Sequence, residues 1–144
     1  MITFQNLFIV QRIIRLFQKT DAFRKGAELF TEPQTMTSSR QLRIPDMAYY
    51  TEKQIAEAAR GVVPTVPEFI IEFISDNDPH PKVLAKMEEY FNAGARVVWL
   101  VVPQVKTVYA YSSPVEVVIC KNERECSAEA VLPGFKISAG ELFA

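Results

Sequence analysis

Asp46 and Glu72 are carboxylates set in segments that otherwise ask to be buried. Asp46 follows Pro45 at the head of an apolar stretch, and Glu72 interrupts the run Phe69-Ile70-Ile71-Glu72-Phe73-Ile74. An uncompensated buried carboxylate is costly, so each acid needs a cation, a hydrogen-bond donor or a metal beside it. Two such acids on neighbouring strands repel, and at short range one stays protonated unless a cation is shared. Mg²⁺ takes carboxylate oxygens at about 2.0–2.1 Å and keeps part of its water shell, so Asp46 and Glu72 suit Mg²⁺ or Mn²⁺ as metal ligands. A cation there polarises a phosphoryl oxygen and lowers the pKa of a bound water, which are two needs of phosphodiester hydrolysis. Lys86 would orient or deprotonate the attacking water, or offset charge building on phosphate. Tyr90, four residues on, is its neighbour on a helix surface. Blander roles stay open: Asp46 as a turn or capping acid, Glu72 and Lys86 as a structural ion pair, Tyr90 as a core ring.

The elements that must position these groups follow from hydropathy. Apolar residues Phe4, Leu7, Phe8, Ile13, Ile14 and Phe17 recur near the helical period, which predicts a helix over 4–18 with Arg12 and Arg15 on a basic face. Residues 27–36 read as a short strand and a turn around Pro33, followed by a polar loop. A strand is expected over 43–50, with Pro45 tolerated at a strand start or edge, and alternation puts Ile44, Asp46, Ala48 and Tyr50 on one face. A helical connector over 51–61 ends before Pro64 and Pro67.

In the strand expected over 68–75, Phe69, Ile71 and Phe73 share one face and Ile70, Glu72 and Ile74 the other, so Glu72 points away from the large hydrophobes. Turn-forming residues 76–81, with an Asp or Asn as cap, lead into a helix over 81–92 that stops at Gly94. On it Val83, Leu84, Met87 and Phe91 form a packing stripe, while Lys82, Lys86, Glu89 and Ala93 lie on another face. The unbroken apolar run within 96–102 reads as a central strand covered on both sides. Two further strands, over 107–111 and 115–120, make a meander, then a charged loop over 121–128 and a closing segment that ends in the plug Leu142-Phe143. The order implies an α/β fold with a mixed sheet flanked by helices.

With 144 residues the chain is expected to form one domain. Its net charge of −1 argues against a protein that coats nucleic acid through many phosphate contacts, though a local basic groove remains open. Cys120 and Cys126 have no partner at metal-ligand spacing, and His80 is the sole histidine, so the thiols read as reduced and cytoplasmic. The stretch over 7–17 is too short and too polar to span a bilayer, and no signal peptide is recognised, so no membrane association is expected.

The ordered set Arg43-Ile44-Pro45-Asp46, Pro67-Glu68-Phe69-Ile70-Ile71-Glu72-Phe73-Ile74-Ser75, Lys86-Met87-Glu88-Glu89-Tyr90, Ala93-Gly94-Ala95, Trp99-Leu100-Val101 and Leu132-Pro133-Gly134-Phe135 resembles the Uma-type restriction endonuclease family of the PD-(D/E)XK nuclease superfamily. The resemblance covers about residues 40–143. It implies a restriction-endonuclease-like core with a C-terminal β-meander. It also implies a Mg²⁺- or Mn²⁺-dependent endonuclease that acts on nucleic acid, DNA rather than RNA. Asp46 and Glu72 would hold the metal, Asp46, Glu72 and Lys86 would be catalytic, and Tyr90 would stand behind them. In the superfamily's usual motif the lysine follows the second acid by two positions, where this chain has Ile74, so Lys86 is the implied substitute from the following helix. Family members usually carry several tens of residues ahead of the first core helix, a leader this chain is expected to lack. A homodimer, with one site for each strand, is the analogous assembly. A second reading also stands: a nuclease-fold protein without activity that serves as an interaction domain.

Overall fold

The computed structural model describes residues 2–144. Helix α1 (Leu7–Phe17), entered through a 3-10 turn at Phe4–Asn6, is followed by the short α2 (Asp21–Arg24), capped by the Thr20 side chain. Strands β1 (Glu28–Thr31), β2 (Thr35–Met36), β3 (Leu42–Arg43) and β4 (Met47–Tyr50) come next. Then follow α3 (Glu52–Ala59), β5 (Phe69–Phe73), α4 (His80–Ala93), β6 (Val97–Val102), β7 (Thr107–Ser113) and β8 (Glu116–Cys120). The chain closes with β9 (Glu125–Ser127), β10 (Lys136–Ser138) and α5 (Ala139–Phe143).

Six strands form one mixed sheet in the order β1-β4-β5-β6-β7-β8. Only β5 and β6 run parallel, with α4 as their crossover; the other neighbours are antiparallel, and β6-β7-β8 is the expected meander. The alternation of β5 holds. Phe69, Ile71 and Phe73 enter a large core with α1, α5 and the β9–β10 hairpin, where the rings of Phe69, Trp99 and Phe135 meet at 5.2–5.5 Å. Ile70 and Ile74 enter a smaller one under α4, with Ala48, Met87, Tyr90, Val98 and Leu100.

Four expectations change. The strand expected over 43–50 is split: β3 pairs with β2 as a separate hairpin, and β4 starts only at Met47, because Pro45 has no N–H to give a ladder. On α1 the buried face is Ile9, Val10, Ile13 and Phe17, whereas Phe8 is 47% exposed, and Phe4 in the preceding 3-10 turn 84%, because at about 100° per residue Phe8 lies on the side of the helix away from that stripe. The charged loop contains β9, held by β10 through Ile137 opposite Cys126. Helix α4 begins at His80 with Pro79 at its cap and no capping side chain; Asp78 accepts instead from the Ser75 N–H (2.8 Å) and hydroxyl (3.1 Å). The stop at Gly94 is as expected, with φ at 121°, a conformation that glycine adopts without strain.

Candidate functional site

The β4–β5 ladder pairs Met47 with Ile71, so one further step sets Asp46 opposite Glu72. The main chains do not complete that rung; the acids do. The Asp46 N–H donates to Glu72 Oε1 (2.8 Å), and the Phe73 N–H donates to Asp46 Oδ2 (2.7 Å). Pro45 ends the ladder, and the two carboxylates fill the gap where two backbone donors would otherwise be orphaned in a buried place. Asp46 and Glu72 are 2% and 4% exposed.

Lys86, on the second turn of α4, closes its ammonium onto Glu72 Oε2. The lysine side chain is 34% exposed and that of Glu72 is 5%, so the pair joins a dry carboxylate to a partly exposed lysine. Burial pushes the Glu72 carboxyl above its usual range, and the charge and hydrogen bond of Lys86 pull the other way; the neighbouring Asp46 charge raises it further. The three groups that the sequence singled out therefore meet at the end of β5 from three elements.

Tyr90 is 1% exposed, and its Oη is buried with no hydrogen-bond partner among the described residues. Burial first, and then the negative charge of Glu72, hold the phenol firmly protonated. An orphaned hydroxyl beside two acids is costly unless something polar reaches it.

Arg43, Glu89 and Thr37 were not singled out. The Arg43 guanidinium grips Glu89 with two bonds, Nε to Oε2 (2.9 Å) and Nη2 to Oε1 (2.8 Å), and the Thr37 hydroxyl donates to Oε2 (2.7 Å). This ties the β2–β3 hairpin to the helix turn that follows Lys86. The signal lay in the quoted segments, since Arg43 precedes Pro45-Asp46 and Glu89 shares a helix face with Lys86. Arg12, read as part of a basic face, lies over the Phe8 ring at 5.0 Å and donates to the Leu142 carbonyl (3.1 Å), so its role is to hold α1 to α5.

Among the described residues no cluster of three or more His, Cys, Asp or Glu side chains is disposed to hold a metal. Two carboxylates are nevertheless a donor set that fits Mg²⁺, which is commonly bound through one or two carboxylates, water and substrate phosphate.

The family model of Uma2, described as "Putative restriction endonuclease", matches residues 3–140. The chain belongs to the Uma2 family. Among solved structures it is similar to a protein from Anabaena variabilis described as "a putative nuclease belonging to DUF820", with a TM-score of 0.83 and 17% identity. That match covers 99% of this chain and 82% of the other. At this identity the likeness speaks to the fold, and the fold of this Uma2 chain is restriction-endonuclease-like. No curated protein matches it. No helix among the described residues is long and apolar enough to cross a membrane.

Proposed function

We propose that this chain is a divalent-metal-dependent endonuclease that hydrolyses phosphodiester bonds of nucleic acid, DNA in preference to RNA, with Asp46, Glu72 and Lys86 as its catalytic groups. The observation that carries the reading is the crossed rung at the end of β5, where two buried carboxylates and one partly solvated ammonium converge. Asp46 and Glu72 would hold Mg²⁺ or Mn²⁺. The bound ion supplies charge to a phosphoryl oxygen and acidity to a water.

The chain's own groups do the rest. The Phe73 and Asp46 N–H donors fix the two carboxylates, so little reorganisation is needed when charge develops nearby. Lys86 is the most exposed of the three groups, with 34% of its side chain open to solvent, and on this reading its ammonium leaves Glu72 for a phosphate oxygen or for the attacking water. Tyr90 Oη offers a donor from behind the acids. Two copies would serve the two strands of a duplex, each as a single domain acting in the cytoplasm.

One observation favours the second reading, an inactive nuclease-fold interaction domain: Lys86 already satisfies Glu72, as a structural ion pair does. The two separate in a plasmid-nicking assay with Mg²⁺, Mn²⁺ or chelator, beside calorimetric titration of each ion. The nuclease reading expects cleavage with metal only, and a loss of about 10²-fold or more in Asp46→Asn, Glu72→Gln and Lys86→Met at retained fold. No cleavage of DNA or RNA with either ion, together with no heat of binding, sinks it.

A further inference from the structure

A cavity of about 640 Å³ opens at the carboxyl ends of β5 and β6, the parallel pair of the sheet. That is the place where open α/β sheets take ligands, and the volume is that of a small-molecule site. Its floor is apolar and buried: Ile9, Phe73 and Phe143. Its walls are the first turn of α1, the β5–α4 loop and the turn after β6, and the last two are braced to each other by Gln104 Nε2 donating to Asp76 Oδ2 (2.9 Å).

The rim is mixed, and its Asp78 carboxylate is already engaged by the Ser75 N–H and hydroxyl. Phe8 presents a ring 47% exposed, with the Arg12 guanidinium over it at 5.0 Å. Around it stand the carboxamides of Gln5, Asn6, Asn77 and Gln104, with Lys106 at the mouth. Asn6 ends the 3-10 turn that runs into α1 and makes no capping bond with its side chain. Carboxamides pair a donor and an acceptor with the matching edge of a nucleobase, and an aromatic face stacks any base. A lysine at the mouth suits the attached phosphate.

The cavity and the acid pair share one strand end. Phe73 forms part of the floor, and its N–H is the donor to Asp46 Oδ2, while Glu72, one residue earlier, points to the opposite face of the sheet. A nucleic-acid strand that crosses this end therefore meets the acids with one phosphate and the cavity with an adjacent base. A base enters a cavity walled on three sides only after leaving its stack, which costs least when it is unpaired. Resting on the nuclease reading above, we propose that this cavity is a subsite for an unpaired nucleobase next to the scissile phosphate, so that the preferred substrate is single-stranded or bulged nucleic acid.

The test measures binding by fluorescence anisotropy in the Glu72→Gln background, where substrate survives. The probes are a labelled matched duplex, the same duplex with one unpaired adenine, and the single strand. The bulged duplex and the single strand are expected to bind about tenfold or more tightly than the matched duplex. Phe8→Ala, and separately Gln5→Ala with Asn6→Ala, should bring that ratio towards one. Both changes lie on the rim, and circular dichroism checks that the fold is kept. Equal binding of the three probes, or a ratio that survives both variants, overturns the subsite. Plasmid nicking by the unmodified protein is scored apart: nicking without the preference sinks the subsite alone, and the preference without nicking sinks the nuclease reading alone.

Discussion

The two faces of β5 are made from alternate residues of one strand, yet they obey opposite rules. One face sends Phe69, Ile71 and Phe73 into a core of apolar side chains and rings packed edge to face. The other sends Ile70 and Ile74 beneath α4, with Glu72 between them, and there the same helix brings a lysine, an orphaned phenol and a glutamate bound to Arg43. The difference teaches where this fold keeps its stability and where it gives some up. Burial on the first face has no polar debt, whereas each carboxylate on the second is tolerated only through a specific donor. Variants on the two faces should therefore part company, the first changing stability alone and the second changing pH dependence and activity.

The largest stability loss should come from the apolar face. Phe69 is fully buried and meets both Trp99 and Phe135, so Phe69→Ala removes ring contacts and leaves a cavity. A loss of about 3–5 kcal/mol in urea unfolding is expected, with little change between pH 5 and pH 8. A loss below about 1 kcal/mol, or one that varies strongly with pH, would erase the contrast between the faces.

Next is the ion pair. Lys86→Met strips the cation from Glu72, whose side chain is 5% exposed, and leaves a dry carboxylate with the Asp46 N–H as its named donor. A loss on the order of 1–3 kcal/mol is expected near pH 8, held down because water can enter where the lysine stem was partly exposed. The loss should shrink as pH falls, since a carboxyl without its cation takes up a proton more readily. Unfolding curves at pH 5 and pH 8, recorded in chelator, decide this, and equal losses at both would mean that Lys86 does not serve the Glu72 charge.

Glu72→Gln reverses the sign. The folded carboxyl sits above its unfolded value through burial, so the stability tied to its proton is full below the unfolded value, about 4.3, and declines as pH rises through the folded value. The amide keeps an oxygen for the Asp46 N–H and abolishes that decline. The variant should gain on the unmodified protein as pH rises from 4 to 8 in metal-free buffer, ending within about 1 kcal/mol of it or above. A variant that falls behind as pH rises would show that the ion pair outweighs desolvation.

Much of this contrast was legible from the residues, and the gaps have physical causes. Alternation in Phe69 to Ile74 sorts Glu72 from its neighbours because the strand period is local, and Gly94 marks the end of α4 for the same reason. The crossed rung is not local. It depends on the register of β4 against β5, and on Pro45 ending that ladder one residue early, so the bond between the Asp46 N–H and Glu72 could not be read from either segment. The helical period finds Ile13 and Phe17 on α1 but misses Ile9 and Val10, because so many positions of this helix are apolar that the pattern does not single out one face, and Phe4, Leu7 and Phe8 lie off the buried one. Strand β9 was hidden because Glu125 and Ser127 flank a single buried Cys126, too short a pattern to stand out in a charged stretch.

The smallest effect tests whether the polar face is organised beyond its three central groups. Arg43 and Glu89 lie 46 residues apart, and their side chains are 35% and 28% exposed, so the pair is worth only about 0.5–1 kcal/mol despite its two-bond geometry. The hydrogen bond from Arg43 holds the Glu89 carboxyl below its usual range, with a further bond from Thr37. A lowered carboxyl contributes stability above its unfolded value, and the contribution is lost as pH falls through the folded one. Arg43→Gln should therefore be slightly less stable than the unmodified protein at pH 7, with the gap closing below about pH 4. On the nuclease reading proposed above, because Glu89 follows Lys86 on the same helix face, the variant should also lower kcat more than it raises KM, with Arg43→Lys recovering part of the loss. A change in KM alone would make Arg43 a phosphate contact rather than the tether that sets α4 against the hairpin.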